Sequence, residues 1–228
     1  WPPWSILSAE RVMVLHLPPF EPLPPPPEAE ALFEVPVAEL QPTQMCIGLA
    51  EVLHRRADFR GEPDKQRRSY LRKKPVPLAR SAAGGLWMVD RHHRLRGLLD
   101  VDPRATAFGY LVRQLDHSDR PSVLQELRAL GWLYLFDGRG QGPLPPEQLP
   151  SSLLELHDDP YRSLVWKLKR EGVIEPAPLI PFHEFRWGAW LRSRYLPPFT
   201  SLRLEPALPA ARALARSQAA SRLAGWKG

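Results

Sequence analysis

The sequence predicts an α/β protein with a small mixed sheet and helices, followed by a helical C-terminal extension. Short apolar runs bounded by turn residues alternate with helical patterns over residues 33–131, and the patterns beyond residue 157 are helical. The composition, 43% hydrophobic and 25% charged, is that of an ordinary globular protein and excludes a fully disordered or fibrous chain. Because 28 of the 228 residues are proline, against an average usage of roughly 5%, extended segments must accompany the compact part.

Four segments follow from the distribution of these patterns. Residues 1–34 form a proline-rich arm, 35–120 a sheet-bearing core, 121–196 a helical extension packed on the core, and 197–228 a basic tail. The prolines of residues 1–34, with the run Pro24–Pro27, favour a polyproline-type extended conformation or wrapping over a surface rather than independent folding. Trp1, Trp4 and Phe20 are the side chains that would anchor the arm there.

The first predicted elements of the core are a strand and a helix. Residues 33–40 read as a short strand, and Pro36 places it at a sheet edge or at a strand start. Residues 43–58 predict a helix with Thr43 as its N-cap and Val52 on its buried face. Residues 59–74 are polar and basic, and no element is assigned to them.

A β-hairpin and a further helix come next. Two apolar runs, Val76–Ala79 and Leu86–Val89, flank the turn residues Ser81–Gly85, which is a strong hairpin signal. The second run ends at Asp90, and Arg91–Asp100 predicts a helix. The remaining predicted elements are a strand over Gly109–Leu115, a helix over Ser122–Gly131, a loop over Gly138–Pro150, helices over Asp158–Glu171 and Pro181–Arg194, and one amphipathic helix within residues 197–228.

The net charge of +6 is unevenly distributed along the chain. Residues 1–40 hold six acids and one arginine, whereas Arg55–Arg80 holds ten basic and three acidic residues. Residues 186–228 hold eight basic residues and one acid. Basic clusters attract phosphates, so both regions are consistent with nucleic acid, a nucleotide or an anionic partner surface. For the tail, an ordinary solvated surface is an equal alternative.

Several classes of protein are excluded by the composition. The single cysteine, Cys46, leaves no intramolecular disulfide framework and no cysteine metal cluster, and we interpret it as a buried helix residue. No apolar run approaches the ~20 residues of a membrane-spanning helix, so a soluble protein without a transmembrane segment is expected. Since the chain begins with Trp1 rather than Met, a cytoplasmic protein and an exported one with its signal peptide removed both remain open.

The segment most informative about function runs from Asp90 to Arg94, where the hairpin meets the next helix. Free backbone N–H groups and the helix dipole make a helix start an anion site. The side chains added to this turn are Arg91, His92, His93 and Arg94. Arginine binds phosphate oxygens in a bidentate manner, and histidine donates hydrogen bonds or moves protons near neutral pH. Such residues oppose the helix dipole, a cost that suggests function; the alternative is that Asp90 simply caps an exposed basic turn.

This segment resembles the signature of the ParB/sulfiredoxin superfamily, in which a strand leads into a string such as Asp-Gly-X-His-Arg at a phosphate-binding helix. One departure is Arg91, which stands where many members have glycine. The resemblance extends to the ParB-like nuclease branch over residues 35–194. The stretches that carry it are Leu40–Gln44 with Gly48, Glu51 and Val52, then Lys74–Pro77, Asp158–Leu164 and Phe182–Leu191.

The resemblance implies a small ParB/sulfiredoxin-like core with a phosphate cradle. The implied phosphate-binding residues are Lys74, Asp90, His92, His93, Arg94 and Gln44. The implied catalytic residues are His93 and Glu51, with Glu51 as a general base on the first helix. The alternative for Glu51 is an exposed helix carboxylate that pairs with Arg55 four residues on.

Three functional interpretations follow. The leading one is a cradle that binds the phosphate of a nucleotide or a nucleic acid and, as a nuclease, hydrolyses a phosphodiester. The second is a nucleotide-dependent kinase of a small molecule, which requires a nucleoside triphosphate with Mg²⁺ and a base. The third is a non-catalytic binding or regulatory module that works through the arm and the tail. The expected partner is a phosphorylated ligand, and the sequence identifies no protein partner.

Overall fold

The computed structural model of the chain describes residues 15–228, so the anchoring roles predicted for Trp1 and Trp4 lie outside the described residues. The strands are β1 (Phe33–Pro36), β2 (Gln41–Pro42), β3 (Cys46–Ile47), β4 (Val76–Arg80), β5 (Leu86–Met88), β6 (Thr106–Gln114) and β7 (His157–Asp158). The helices are α1 (Leu49–Gly61), α2 (Asp64–Lys73), α3 (His92–Leu99), α4 (Arg120–Ala129), α5 (Pro160–Arg170), α6 (His183–Arg192) and α7 (Leu208–Arg216). Within this part of the chain, no helix has the length and apolar character needed to cross a membrane.

Five strands form one mixed sheet in the order β1-β6-β4-β5-β2. The predicted hairpin is present, since β4 and β5 are antiparallel and Leu78 lies opposite Met88. β6 pairs with β4 in parallel and with β1 in antiparallel orientation, and β2 adds to β5 in parallel. Pro36 ends the edge strand β1, a position that tolerates a residue without an N–H donor. The predicted α/β class with a small mixed sheet is thus confirmed.

The helices bring the starts of α1 and α5 close together. α1 packs on both α3 and α5, and α5 packs on α6 and α7. β3 and β7, which precede α1 and α5, pair in parallel with Cys46 opposite His157. One hydrophobic core lies mainly between the sheet and helices α1 and α3, and a second lies among α5, α6 and α7. A third core, around Trp87 and Trp132, joins α4 to the sheet.

The first helix begins at Leu49 rather than at Thr43, so the predicted helix start and N-cap are wrong. Residues 41–47 instead contribute β2 and β3. The Thr43 amide donates to the His92 ring at 3.1 Å, and the Met45 amide donates to the carbonyl of Tyr134 at 3.1 Å. These long-range hydrogen bonds override the local helical periodicity. Cys46 is buried as predicted, but in a strand rather than in a helix.

α2 forms in the basic stretch to which the sequence assigned no element. Leu71 is its one buried residue, so α2 lacks the apolar stripe from which helical periodicity is read. In the tail, α7 is the amphipathic helix that the sequence predicts. Beyond it the chain folds back onto α6, where the Trp187 indole N–H donates to the carbonyl of Ala224 at 2.8 Å.

The described part of the proline-rich arm lies along the folded surface, as its composition predicts. The Trp132 indole donates to the carbonyl of Glu21 at 2.8 Å, and the Tyr110 hydroxyl donates to the carbonyl of Pro24 at 3.2 Å. Phe20 packs edge-on against Phe182, with ring centroids 5.8 Å apart. Phe20 therefore anchors the arm next to the start of α6.

Candidate functional site

A cleft of about 980 Å³ lies where the first turns of α1, α3, α5 and α6 meet. Part of the arm, residues 17–23, and the proline-rich loop 176–182 line its remaining sides. We call the first turn of α3, with His92 and His93, the histidine wall. We call the first turns of α5 and α6, with Arg162 and Glu184, the arginine wall.

The histidine wall starts from a strained residue. Arg91, the N-cap of α3, is left-handed with φ 79° and ψ 14°, a conformation that costs a non-glycine residue roughly 1–3 kcal/mol. Asp90 compensates, since its carboxylate accepts from the Arg91 amide at 2.6 Å and from the Arg91 guanidinium at 3.0 Å. The first N–H groups of a helix have no partner within it. Over residues 15–228, no acceptor is found for those of His92, His93 and Arg94.

The two histidines act as hydrogen-bond acceptors. The Thr43 amide donates to Nε2 of His92 at 3.1 Å, and the Gly48 amide donates to Nε2 of His93 at 2.9 Å. Both Nε2 atoms must therefore be unprotonated, which places the proton of each neutral ring on Nδ1. Burial lowers the pKa of His92 to about 3 and the pKa of His93 to about 4, the latter with a contribution from Arg162. The two histidine rings are therefore neutral at physiological pH, and they fix the segment that leads into α1.

The arginine wall contains a buried cluster of charges. Arg162 donates from Nη2 to Oε2 of Glu51 at 2.9 Å and lies 4.0 Å from Oε1 of Glu184, which also pairs with Lys169. Burial alone would raise the pKa of Glu51, but His93 and Arg162 outweigh it and lower that pKa. Burial would also raise the pKa of Glu184, but Arg162 and Lys169 outweigh this effect and hold that pKa far below the usual range. Both carboxylates are therefore anions at neutral pH.

Arg162 has more hydrogen-bonding capacity than its neighbours use. The residue is only 6% exposed, yet its Nε and Nη1 atoms are buried without an acceptor among residues 15–228. These two atoms carry three of the five N–H donors of the guanidinium. A buried donor without a partner costs about 1–3 kcal/mol. Within the same limits, Nη1 of Arg94 is also buried without an acceptor, while its Nε donates to the Tyr70 hydroxyl at 3.0 Å.

The cleft is positively charged overall. Three carboxylates line it, those of Asp90, Glu51 and Glu184. Six cationic side chains line it: Arg55, Arg91, Arg94, Arg162, Lys169 and Arg186. Together with the spare N–H donors, this excess of cations suits an anion with several oxygen atoms, such as phosphate.

Most of the predicted site residues line this cleft, but not all in the predicted manner. Gln44 lines it from the segment before α1 rather than from the helix, and its side-chain amide donates to the carbonyl of Cys46 at 2.7 Å. Glu51 lines it and also lies 3.8 Å from Arg55, as the alternative interpretation expects. Lys74 is exposed and does not line the cleft. Asp90 holds Arg91 through both carboxylate oxygens.

Two residues of the arginine wall were not singled out from the sequence. Arg162 and Glu184 lie 22 residues apart on different helices, and they reach Glu51 and His93 only through tertiary packing. Both residues lie inside the stretches 158–164 and 182–191, which carry the family resemblance, and this position was the only indication of their importance in the sequence. In the part of the chain that is described, no group of three His, Cys, Asp or Glu side chains is placed to hold a metal ion together.

Comparisons with known proteins agree with this fold. A family model described as "Putative ParB-like nuclease" matches residues 33–193. The crystal structure of protein Atu1540 from Agrobacterium tumefaciens superposes with a TM-score of 0.73 at 27% sequence identity, covering 86% of this chain and 98% of that one. No curated protein matches the sequence.

Proposed function

Because the chain belongs to the ParB-like nuclease family, we propose that its cleft binds a phosphodiester and hydrolyses it. The observation that carries the proposal is Arg162, a buried side chain that lines the cleft and whose guanidinium has three N–H donors without an acceptor among residues 15–228. Burying a charged donor without an acceptor lowers the stability of a folded protein, and an anionic ligand that accepts from such a donor would offset that loss.

The phosphate group would lie between the two walls. On one side, the three free N–H groups at the start of α3 and its helix dipole supply a backbone cradle. On the other side, the guanidinium groups of Arg162 and Arg94, which both line the cleft, would supply positive charge. The left-handed Arg91 supports this assignment, because it is the backbone conformation that begins the cradle, and strained backbone clusters at functional sites.

Glu51 is the residue best suited to orient the attacking water. It is an anion on α1, and its pairing with Arg162 places it beside the proposed phosphate site. In the hydrolysis, the water oxygen bonds to phosphorus while the ester P–O bond breaks. The proton released by the water passes through Glu51 to the departing ester oxygen.

His93 serves the reaction as a positioning residue. Its Nε2 atom is occupied by the Gly48 amide, so it cannot take a proton there without releasing the segment that begins α1. Its Nδ1 atom lies 3.9 Å from Oε2 of Glu51. The protonated Nδ1 therefore faces the carboxylate and favours its ionised form.

Hydrolysis of a small chromogenic diester, bis(p-nitrophenyl) phosphate, tests the proposal. We expect the wild type to release p-nitrophenol, assayed with and without Mg²⁺, and Glu51→Gln to lower kcat by about 10²-fold or more. The amide oxygen of the Glu51→Gln variant can still accept the hydrogen bond from Arg162. The melting temperature of the variant is measured as well, to show that it is folded. Arg216→Gln, which removes an exposed cation of α7, is the matched control. Equal rates for wild type and Glu51→Gln would overturn the catalytic role.

Ligand binding is tested separately by thermal unfolding with pyrophosphate. At 100 times its dissociation constant a ligand adds about 2.7 kcal/mol to the free energy of unfolding. Arg162→Lys keeps the charge but loses the planar fork, so we expect it to lose most of that shift. Stabilisation without hydrolysis would leave a non-catalytic binding module, and no stabilisation of the wild type would contradict the phosphate site itself.

A further inference from the structure

This inference rests on the proposed phosphodiester hydrolysis and concerns the groups that the diester carries. Beyond the nucleic-acid diester that the family description implies, we propose that the cleft accepts a phosphodiester with an alkyl or acylated chain on one ester oxygen. The chain would lie on the sides of the cleft that the arm and the loop 176–182 form. We call the residues of these two segments that line the cleft the apolar wall.

The apolar wall has no polar side chain. Within the described part of the chain, its members are Leu17, Pro18, Pro19, Phe20, Pro22, Leu23 and residues 176–182. Glu21, the one charged residue of the two segments, does not line the cleft. Six of the thirteen members are prolines, which also lack a backbone N–H donor. A nucleobase is recognised through hydrogen bonds to its edges, whereas a hydrocarbon chain requires none.

The rim of the apolar wall holds large aliphatic side chains in water. Leu179 is 92% exposed, and Ile180 beside it is 39% exposed. Exposed apolar patches rimmed by polar residues mark interaction sites and ligand-binding grooves. Each methylene group removed from water favours association by about fourfold. A hydrocarbon chain that covers Leu179 and Ile180 would therefore gain affinity from its own burial and from theirs.

The loop is held at both ends, so the apolar wall exists before a ligand binds. Before the loop, the Glu175 amide donates to the carbonyl of Gly225 at 2.8 Å. At its end, the Phe182 ring packs edge-on against Phe20 of the arm, with ring centroids 5.8 Å apart. Binding to a surface that is already ordered avoids the entropy cost of forming it.

A series of contacts joins the apolar wall to the proposed phosphate site. The Arg162 guanidinium lies 5.6 Å from the ring centre of Phe185, which also lines the cleft. The Phe185 ring lies 6.4 Å from that of Phe182, a member of the wall. Arg186 lines the cleft as well, and its Nε donates to the carbonyl of Pro181 at 2.9 Å. Cations next to an apolar surface match an amphiphilic anion, with its phosphate at Arg162 and its chain on the wall.

Exposed leucines elsewhere on the molecule provide the matched control. Leu154 is 55% exposed and Leu202 is 74% exposed, and neither lines the cleft. The wall variant Leu179→Ser/Ile180→Ser is therefore compared with the control variant Leu154→Ser/Leu202→Ser. Each variant loses two aliphatic side chains that are largely in water, and melting temperatures show that both are folded.

Two chromogenic diesters with the same leaving group, p-nitrophenyl hexyl phosphate and p-nitrophenyl methyl phosphate, isolate the contribution of the chain. In both, the water oxygen bonds to phosphorus, the P–O bond to p-nitrophenol breaks, and the alkyl ester stays on the phosphate. We expect the wild-type kcat/KM to be at least about tenfold higher on the hexyl ester, because its additional methylene groups are partly buried. The wall variant should lose most of this hexyl-to-methyl ratio, and the control variant should keep it.

Three results would overturn the proposal. One is an equal kcat/KM of the wild type on the two esters, and another is an equal ratio in the wall and control variants. The third concerns p-nitrophenyl thymidine phosphate, which carries a nucleoside in place of the chain. If the wall variant loses as much activity on this ester as on the hexyl ester, the wall binds a nucleoside rather than a hydrocarbon chain.

An alkyl or acylated diester can reach the cleft from a membrane phospholipid or free in solution. Co-sedimentation with phosphatidylglycerol vesicles distinguishes these sources. Vesicle binding that the wall variant loses would identify the phospholipid, whereas a hexyl preference without vesicle binding would identify the free ester.

Failure of this inference and failure of the proposed hydrolysis give different results. If the wild type cleaves bis(p-nitrophenyl) phosphate but gains nothing from the hexyl chain, the apolar wall proposal fails while the hydrolysis stands. If the wild type cleaves no diester, thermal unfolding with dihexyl phosphate and with dimethyl phosphate replaces the assay. A larger shift with dihexyl phosphate that the wall variant loses would end the hydrolytic function and keep the wall as a binding surface. Equal shifts would overturn both.

Discussion

The histidine wall and the arginine wall are both built from helix starts, yet they treat charge in opposite ways. Burial keeps the rings of His92 and His93 neutral, and the Nε2 atom of each ring accepts a hydrogen bond from a backbone amide. Arg162 is buried to a similar degree and Glu184 is partly buried, yet both stay charged because they neutralise each other with Glu51 and Lys169. The two histidine rings of the first wall therefore have their acceptor atoms satisfied without a ligand. The second is electrostatically paired but retains hydrogen-bond donors.

This difference separates positioning from binding. The conspicuous histidine pair holds the entry to α1, and through it the carboxylate of Glu51. The groups that we propose for an anion are instead the free backbone N–H groups of α3 and the guanidinium groups of Arg162 and Arg94, which line the cleft. In the proposed site the two histidine rings therefore act through the segment they hold rather than as direct ligands of the anion.

Removal of the Arg162 charge is expected to have the largest effect on stability. In Arg162→Met, the carboxylates of Glu51 and Glu184 lose the cation between them, and breaking a buried ion pair from one side costs about 3–5 kcal/mol. Urea unfolding at pH 7 measures the loss. The double variant Glu51→Gln/Arg162→Met should recover part of it, because one of the stranded anions is gone. A loss below 1 kcal/mol in Arg162→Met would show that the cluster is open to water and would remove the basis for the arginine wall.

Acidification should destabilise the protein first through the histidine wall, by about 2 kcal/mol per histidine between pH 7 and pH 5. In the unfolded chain a histidine binds a proton below about pH 6.5, whereas folded His92 and His93 do so only near pH 3 and pH 4. The unfolded state thus binds more protons in this interval, and stability falls as the pH falls. The groups nearest the rings are Asp90 beside His92, and Glu51 and Arg162 beside His93.

Urea unfolding of wild type and His92→Gln at pH 7 and pH 5 checks this prediction. Gln can accept from the Thr43 amide but does not titrate, so about 2 kcal/mol of the pH dependence should disappear. Because the pKa values of Glu51 and Glu184 are lowered, the arginine wall contributes stability above their unfolded pKa of about 4.5, and loses it as the pH falls further. Identical pH profiles for the two proteins would mean that His92 is not a buried neutral acceptor.

The sequence predicted the histidine wall because its determinants are local. The hairpin, the Asp90–Arg94 turn and the helix after it follow one another within 25 residues, and turn residues and periodicity indicate each of them. The arginine wall depends on the packing of α1, α5 and α6, which no local pattern encodes. In the sequence, Arg162 and Glu184 are marked only by lying within the longer stretches that resemble the family.

The errors in secondary structure have the same origin. Residues 43–48 have helical periodicity, but their amides bond to His92, Tyr134 and His93, which are distant in sequence. Gly48 must remain a glycine because a Cβ atom there would lie 2.8 Å from the backbone nitrogen of Ser163. α2 gave the opposite error, since it is a true helix without an apolar stripe. In the first case tertiary hydrogen bonds override the local periodicity, and in the second the apolar stripe that would reveal the helix is missing.

The smallest effect is expected at the left-handed residues that begin α3 and α6, and it compares the two walls directly. Arg91→Gly relieves the left-handed strain, while glycine costs about 0.5–1 kcal/mol in chain entropy and the pair with Asp90 is lost. Arg91→Ala loses the same pair but keeps the strain, so it should be about 1 kcal/mol less stable than Arg91→Gly in urea unfolding. At the other wall, Phe182 is also left-handed, with φ 54°, but its ring packs on Phe20 and Tyr134. Phe182→Gly should therefore destabilise the protein despite relieving the same strain. If Arg91→Gly proved less stable than Arg91→Ala, the strain at the proposed cradle would not exist, and the backbone of Arg91 would have to be right-handed in solution.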